Sequence, residues 1–407
     1  MVLPSHPVSL KRSLNLPLLV LYGLGTTVGA GIYALIGEIA TVAGAFSPWA
    51  FLLASLLAGF TAFSFAELSA RYPRAAGAAL YTQTGFGSTG AGQVVGILVA
   101  LAGIVSSAAL LNGFVGYVGE FVTVPRAVLI IGCACVLTAI AIWGVMESVL
   151  VASLVSIIEV GGLVWIAILG APTVSVEHLS LPSFEIAAWI PVCWGAVLAF
   201  YAYIGFEDLI EVVEEVKGNR HTLPLAIVLT LLITAVVYTL LVVTAIAAVG
   251  PAELGGSDAP LATVYARLTG GDPFVIASIG ILAIVNGALI QIIMASRVLY
   301  GLARRGQVPA WFGRVNAITH TPVIATVLAG ACVLGLALLG GLAGLAQATS
   351  TMMLAVFAIV NLALVRIKAT QPAPDGLISI PAWVPLLGFV VCTGFVLFSL
   401  WQWAAGA

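Results

Sequence analysis

Gly23-Leu-Gly-Thr-Thr-Val-Gly-Ala-Gly31 is the stretch that decides how this chain folds. Its glycines and Thr-Thr pair lie in the middle of the first long apolar segment, residues 14–40. A membrane helix needs about 20 apolar residues with every backbone group paired within the segment. Each glycine costs a helix about 1 kcal/mol against alanine. The stretch therefore predicts a helix that comes apart at mid-membrane. Open backbone at that depth is tolerated only where it is buried in protein or lines a cavity, as it does where transporters hold their cargo.

Composition supports the membrane setting. The chain has 407 residues, of which 62% are hydrophobic and 7% charged, where a soluble domain carries about 25% charge. This is an all-α integral membrane protein of the lipid bilayer. A net charge of -2 gives no indication of a nucleic-acid partner, because membrane proteins sort their charges by side. Cys133, Cys135, Cys193, Cys332 and Cys392 lie in apolar segments, and the first two point to different faces of a helix. Neither a disulfide nor a metal site is suggested. With no HExxH, nucleophile elbow or phosphate loop, an enzyme is not expected and no cofactor is implied.

About eleven spans follow from hydropathy: 14–40, 46–70, 89–119, 126–143, 148–170, 187–213, 223–249, 273–302, 321–341, 344–367 and 383–405. The faintest boundary is Leu339-Gly-Gly-Leu342, between the ninth and tenth. If the spans alternate, 12 of the 14 Lys and Arg residues fall on one side, including Lys11, Arg12, Arg71, Arg74, Lys217, Arg220, Arg304 and Lys368. Only Arg126 and Arg267 fall on the other. The positive-inside rule then puts the N-terminus in the cytoplasm and the C-terminus outside the cell membrane.

A second break lies in span six, Phe200-Tyr-Ala-Tyr-Ile-Gly-Phe-Glu-Asp208. Spans one and six are five apart and so cross in opposite directions. Paired interruptions of this kind point to an inverted repeat: repeat one over about 14–170, repeat two over about 187–367, and an additional helix at about 383–405, all in one transmembrane domain. Direction fixes the role of each break. The outer half of span one begins at its break, so N–H groups near Gly29, Ala30 and Gly31 suit a carboxylate. The first half of span six ends at its break, so carbonyls near Tyr201, Ala202 and Ile204 suit an ammonium. Together they fit a zwitterionic amino acid.

These residues resemble the amino acid–polyamine–organocation (APC) superfamily, and within it bacterial permeases similar to the cationic amino acid transporters. The matching stretches are Gly25-Thr-Thr-Val-Gly-Ala-Gly-Ile-Tyr33, Ala66-Glu-Leu-Ser-Ala-Arg-Tyr-Pro-Arg74, Phe200–Asp208, Glu214-Glu-Val-Lys217 and Ala295-Ser-Arg-Val-Leu-Tyr-Gly-Leu-Ala-Arg304, the last followed by Val308-Pro-Ala-Trp-Phe312. The resemblance implies a LeuT-like 5+5 fold with discontinuous helices 1 and 6, secondary active transport, and substrate contacts at the two breaks. Thr26, Thr27, Gly29, Ala30 and Gly31 would form one side of the site, and Tyr201, Ala202, Ile204 and Glu207 the other. Many family members have twelve spans, against eleven here.

Proton-coupled relatives often place a lysine in span five, and Glu159 stands at what looks like the same position. It lies eleven residues from both Ser148 and Gly170, near mid-membrane, where carboxylates mark function by default. A coupling proton is the expected ion there, with sodium the lesser reading. Glu207 and Asp208 follow the second break. Either one contacts substrate or proton, or both stabilise a helix start electrostatically. Tyr201, Tyr203 and Phe206 are candidates for an occluding lid. Glu67, Arg71, Arg74, Glu211, Glu214, Glu215 and Arg297 are candidates for an inner gate. Asn286 and Gln291 read as helix–helix hydrogen bonding. The leading function is a proton-coupled amino acid permease. The alternatives are an amino acid exchanger, a polyamine or other organic-cation carrier, a channel, and a sensor that transports nothing.

Overall fold

The computed structural model describes residues 14–405 apart from 75–76, 145–148, 373 and 375. Lys11 and Arg12, used above for orientation, lie outside the described residues. Among those described, the regular secondary structure is helical, with one isolated backbone bridge, Leu14 to Val216. The helices are α1 (Leu16–Thr27), α2 (Ala30–Ala43), α3 (Ser47–Arg71), α4 (Gly77–Phe86), α5 (Thr89–Gly119), α6 (Arg126–Trp143), α7 (Val149–Gly170), α8 (Ile186–Tyr201), α9 (Thr222–Val249), α10 (Pro251–Gly255), α11 (Pro260–Thr269), α12 (Phe274–Arg304), α13 (Val323–Leu339), α14 (Leu342–Thr370) and α15 (Trp383–Ala405). Each of the eleven expected segments coincides with helix. Among the described residues, nine stretches are long and apolar enough to cross a bilayer, counting Ala30–Arg71 as one, while α1 and α13 are shorter. The protein is thus a multi-pass membrane protein.

Local chemistry sets the ends that matter. Asn15 caps α1, its side chain accepting from Leu18 N–H at 3.1 Å, with Pro17 in the first turn. α1 stops at Thr27 because Val28 is extended, and α2 restarts after Gly29 with no side-chain cap. α8 ends at Tyr201. After Gly205 the chain winds as a 3-10 helix, Phe206–Glu215, where an α-helical continuation of span six was expected. In a 3-10 helix residues three apart eclipse one another. The tighter winding therefore aligns Asp208, Glu211 and Glu214 on one face, while Phe206 and Leu209 share a buried one.

Two long helices, α5 and α12, pack against each other through the centre, and α3 packs along α9. Small residues allow the close approach. A Cβ on Gly113 of α5 would stand 2.8 Å from Ala34 Cβ of α2, and one on Gly103 would stand 3.1 Å from Gln291 Oε1 of α12. We call the end of the bundle carrying Arg71, Lys217 and Arg304 the basic end. At the opposite end α10 and α11 close over α2. Tyr117 Oη donates to Tyr33 O at 3.0 Å and accepts from Leu261 N–H at 3.4 Å. α4, unforeseen from the sequence, lies at the basic end and packs on α5 and α14.

Candidate functional site

The two breaks meet. Thr26 Oγ1 donates to Gly205 O at 2.9 Å, and its own-helix acceptor Gly23 O is 3.0 Å away. Gly205 holds a positive φ of 127°, so the chain turns without a side chain where it passes Thr26. On the other side of the breaks, Tyr238 of α9 places its hydroxyl 3.1 Å from both Thr27 O and Ala202 O. One proton is shared between two carbonyls, one from each broken span. Close approach also excludes a side chain at Gly31, where a Cβ would sit 2.7 Å from Ala202 Cα. At the basic end, Leu14 N–H donates to Glu215 O at 3.1 Å and Lys217 N–H to Leu14 O at 2.7 Å. Main chain thus joins the start of α1 to the end of the 3-10 segment.

A cavity opens between the breaks and the α5–α12 pair. Gly25, Thr26, Thr27, Gly29, Ala30 and Gly31 line it from the first break, and Tyr201 and Ile204 from the second. The α2 N-terminus brings its open N–H groups to this space. Tyr201 O is engaged by Ile204 N–H at 3.2 Å, and Ala202, which is not part of the lining, gives its carbonyl to Tyr238. Tyr201 also contributes its ring. Its hydroxyl is 2.8 Å from Ser106 Oγ and donates to Ser106 O at 3.0 Å. Tyr203 and Phe206 stand away from the lining: Tyr203 packs on Phe51 and Tyr238, and Phe206 on Phe65 and Phe357.

The opposite wall is Ser106 and Leu110 of α5 with Ala283, Gly287, Ile290 and Gln291 of α12. None of these six stood among the expected substrate contacts. Gln291 carried a usable signal, a polar side chain at mid-depth; it lines the cavity, where helix–helix bonding was the expectation. A second cavity shares Ser106, Ile204 and Gln291 with the first and extends towards the basic end, reaching Gly77 of α4. Glu207, Asp208 and Glu211 line this second space. Glu207 folds back on its own break, Oε2 accepting from Gly205 N–H at 2.9 Å.

Glu159 is 1% exposed and lies behind the first break, outside both cavity linings. A Cβ on Gly29 would stand 3.1 Å from its Oε2. Its backbone oxygen accepts from Tyr33 Oη at 3.0 Å, tying α7 to α2. Among the gate candidates, Glu67 pairs with Arg71 at 2.7 Å, and also with Lys368 of α14 at 2.8 Å. No group of His, Cys, Asp and Glu among the described residues is arranged to hold a metal ion.

A bundle of membrane helices with two interrupted spans meeting at a central cavity is the framework of a transporter-type membrane protein. The sequence profile of the amino acid permeases matches residues 14–406, and the chain belongs to that family, within the APC superfamily. It is 27% identical over 407 aligned residues to the vacuolar cationic amino acid transporter 2 of Arabidopsis thaliana, covering 92% of this chain and 63% of that protein. The chain therefore spans less than two thirds of the plant relative's length. It is 30% identical over 395 residues to an uncharacterized transporter of Mycobacterium bovis, covering 95% and 86%. It is 25% identical over 423 residues to the branched-chain amino acid permease BcaP of Bacillus subtilis, covering 97% and 89%.

Proposed function

We propose that this protein is a secondary active transporter that moves amino acids by alternating access and is driven by protons. The observation that carries the reading is the meeting of the two breaks at one cavity with opposite polarity. The N-terminus of α2 suits a carboxylate, and the C-terminal end of α8 suits an ammonium through the second lone pair of Tyr201 O, whose first is taken by Ile204 N–H; the two sit on the same side of the space. The α5–α12 and α3–α9 pairings join spans five apart, as expected of repeats over about 14–170 and 187–367. The basic end is then cytoplasmic, with the N-terminus inside and the C-terminus outside the cell membrane. In this orientation the second cavity leads to the cytoplasm, and α10 and α11 close the outside.

Glu159 is the proposed proton carrier. It is buried behind the hinge at Gly29, so its charge state acts on the first break without its touching the substrate. The carboxylate would hold a proton in one orientation and release it in the other. Glu159→Gln is expected to bind substrate with affinity within about threefold of wild type, while pH-driven accumulation in proteoliposomes falls at least about tenfold. Wild-type dependence on an imposed pH gradient in that variant would remove Glu159 from the coupling. A second reading, a polyamine or organic-cation carrier, is favoured by the acids of the second cavity. Competition separates the two: an amine lacking a carboxylate displaces the substrate of a cation carrier, and fails to displace that of an amino acid permease.

A further inference from the structure

Resting on the amino acid reading above, we infer that the substrate is a neutral amino acid with an aliphatic side chain of small to middle size, selected by the uncharged α5–α12 wall. With carboxylate and ammonium both directed to the breaks on one side of the first cavity, the substituent on the substrate's α-carbon faces the opposite wall. That wall is Ser106, Leu110, Ala283, Gly287, Ile290 and Gln291, with no ionisable side chain. Ser106 is already engaged by the Tyr201 hydroxyl, which leaves the Gln291 amide as the polar group on a surface otherwise built from aliphatic carbon and Gly287 backbone.

A cationic side chain would have to be desolvated here without a counter-charge, which is strongly unfavourable. Glu159 lies behind Gly29, on the side of the breaks and outside the lining, and the carboxylates of Glu207, Asp208 and Glu211 line the second cavity and are absent from the lining of the first. To reach the latter three a lysine or arginine side chain would thread the waist of Ser106, Ile204 and Gln291 that the two cavities share. Size is bounded as well. A Cβ on Gly287 would stand 2.8 Å from Ala30 Cβ and 3.3 Å from Leu110 Cδ1, so α12, α2 and α5 are already in contact at the back of the site.

The test is uptake by proteoliposomes of the purified full chain, offered radiolabelled alanine, leucine, lysine and arginine at equal concentration. Alanine and leucine are expected to enter at least about tenfold faster than lysine and arginine, since one uncompensated charge exceeds the free energy of a tenfold ratio. Equal or faster uptake of lysine or arginine overturns the neutral-substrate inference and leaves amino acid transport standing. No saturable uptake of any amino acid, by protein that elutes as a single folded species, overturns both. Placing a carboxylate on the wall, by Gln291→Glu or independently by Ser106→Asp, is expected to shift the lysine-to-leucine ratio at least about tenfold towards lysine. An unchanged ratio in a folded variant shows that this wall does not read the side chain and overturns the assignment.

Discussion

Gly205→Ala is expected to abolish substrate binding and transport while leaving the helical bundle assembled. Two independent costs meet at this residue. Its φ of 127° lies where a side chain is strained, at about 1–2 kcal/mol for an L-residue. The added methyl would also collide with the Thr26 carbonyl, its carbon only 2.6 Å from Thr26 C and 3.1 Å from Thr27 Cα. Relief requires the first break to move away, which breaks the Thr26–Gly205 hydrogen bond and separates the two surfaces that line the cavity. Overpacking of a tight contact adds about 1–3 kcal/mol. A combined loss of about 2–5 kcal/mol corresponds to a fall in affinity of roughly 30-fold or more. The control is Gly161→Ala, where an added Cβ meets nothing within 4 Å and α7 continues through the position. Ligand-induced thermal stabilisation should vanish in Gly205→Ala and persist in Gly161→Ala. Normal stabilisation in the Gly205 variant would mean that the contact between the breaks does not shape the site.

The contrast between the two breaks explains how much of this protein was legible in its sequence. The first was legible in detail because glycines and adjacent threonines are poor mid-helix residues for local reasons, and α1 and α2 part at Val28–Gly29 as those reasons require. The second was legible in position but not in winding. Glu207, Asp208 and Glu211 look like the start of an amphipathic α-helix, and only the three-residue spacing of Asp208, Glu211 and Glu214 hints at the 3-10 form. The wall formed by Leu110, Ala283 and Gly287 was not legible, because which face of an all-apolar helix meets a cavity is set by its rotation against neighbours and not by polarity. α4 was missed because ten residues of mixed polarity neither span a bilayer nor show a strong face. Tyr238 was missed because its role depends on two carbonyls, at Thr27 and Ala202, that distant parts of the chain bring to it.

Removal of one carboxylate at the basic end is expected to cost the fold more than any surface change. Glu67 is fully buried, and both its oxygens are in use. Oε1 accepts from Arg71 Nε at 2.9 Å, Arg71 Nη2 at 2.7 Å and Lys368 Nζ at 2.8 Å. Oε2 accepts from Lys368 Nζ at 2.8 Å and from Ile380 N–H at 2.9 Å. The Arg71 and Lys368 side chains are only 4% and 12% exposed, so Glu67 is the charge that makes their burial tolerable. It also fastens α3 to α14 and to the segment that leads into α15. Glu67→Ala strands two cations and a backbone donor, and breaking such a buried arrangement costs about 3–5 kcal/mol. Glu67→Gln keeps an acceptor oxygen and the shape, and should fall between that variant and wild type. Glu253→Ala is the comparison: its pair with Arg267 is 44% and 52% exposed and should contribute about 1 kcal/mol or less. The measurement is the thermal unfolding midpoint of the full chain in one detergent. A midpoint for Glu67→Ala no lower than that for Glu253→Ala would refute the role given to Glu67. If Glu67→Leu combined with Arg71→Met and Lys368→Met recovers much of the lost stability, the cost lay in the stranded charges. If it does not, the cost lay in the lost hydrogen bonds between α3, α14 and Ile380.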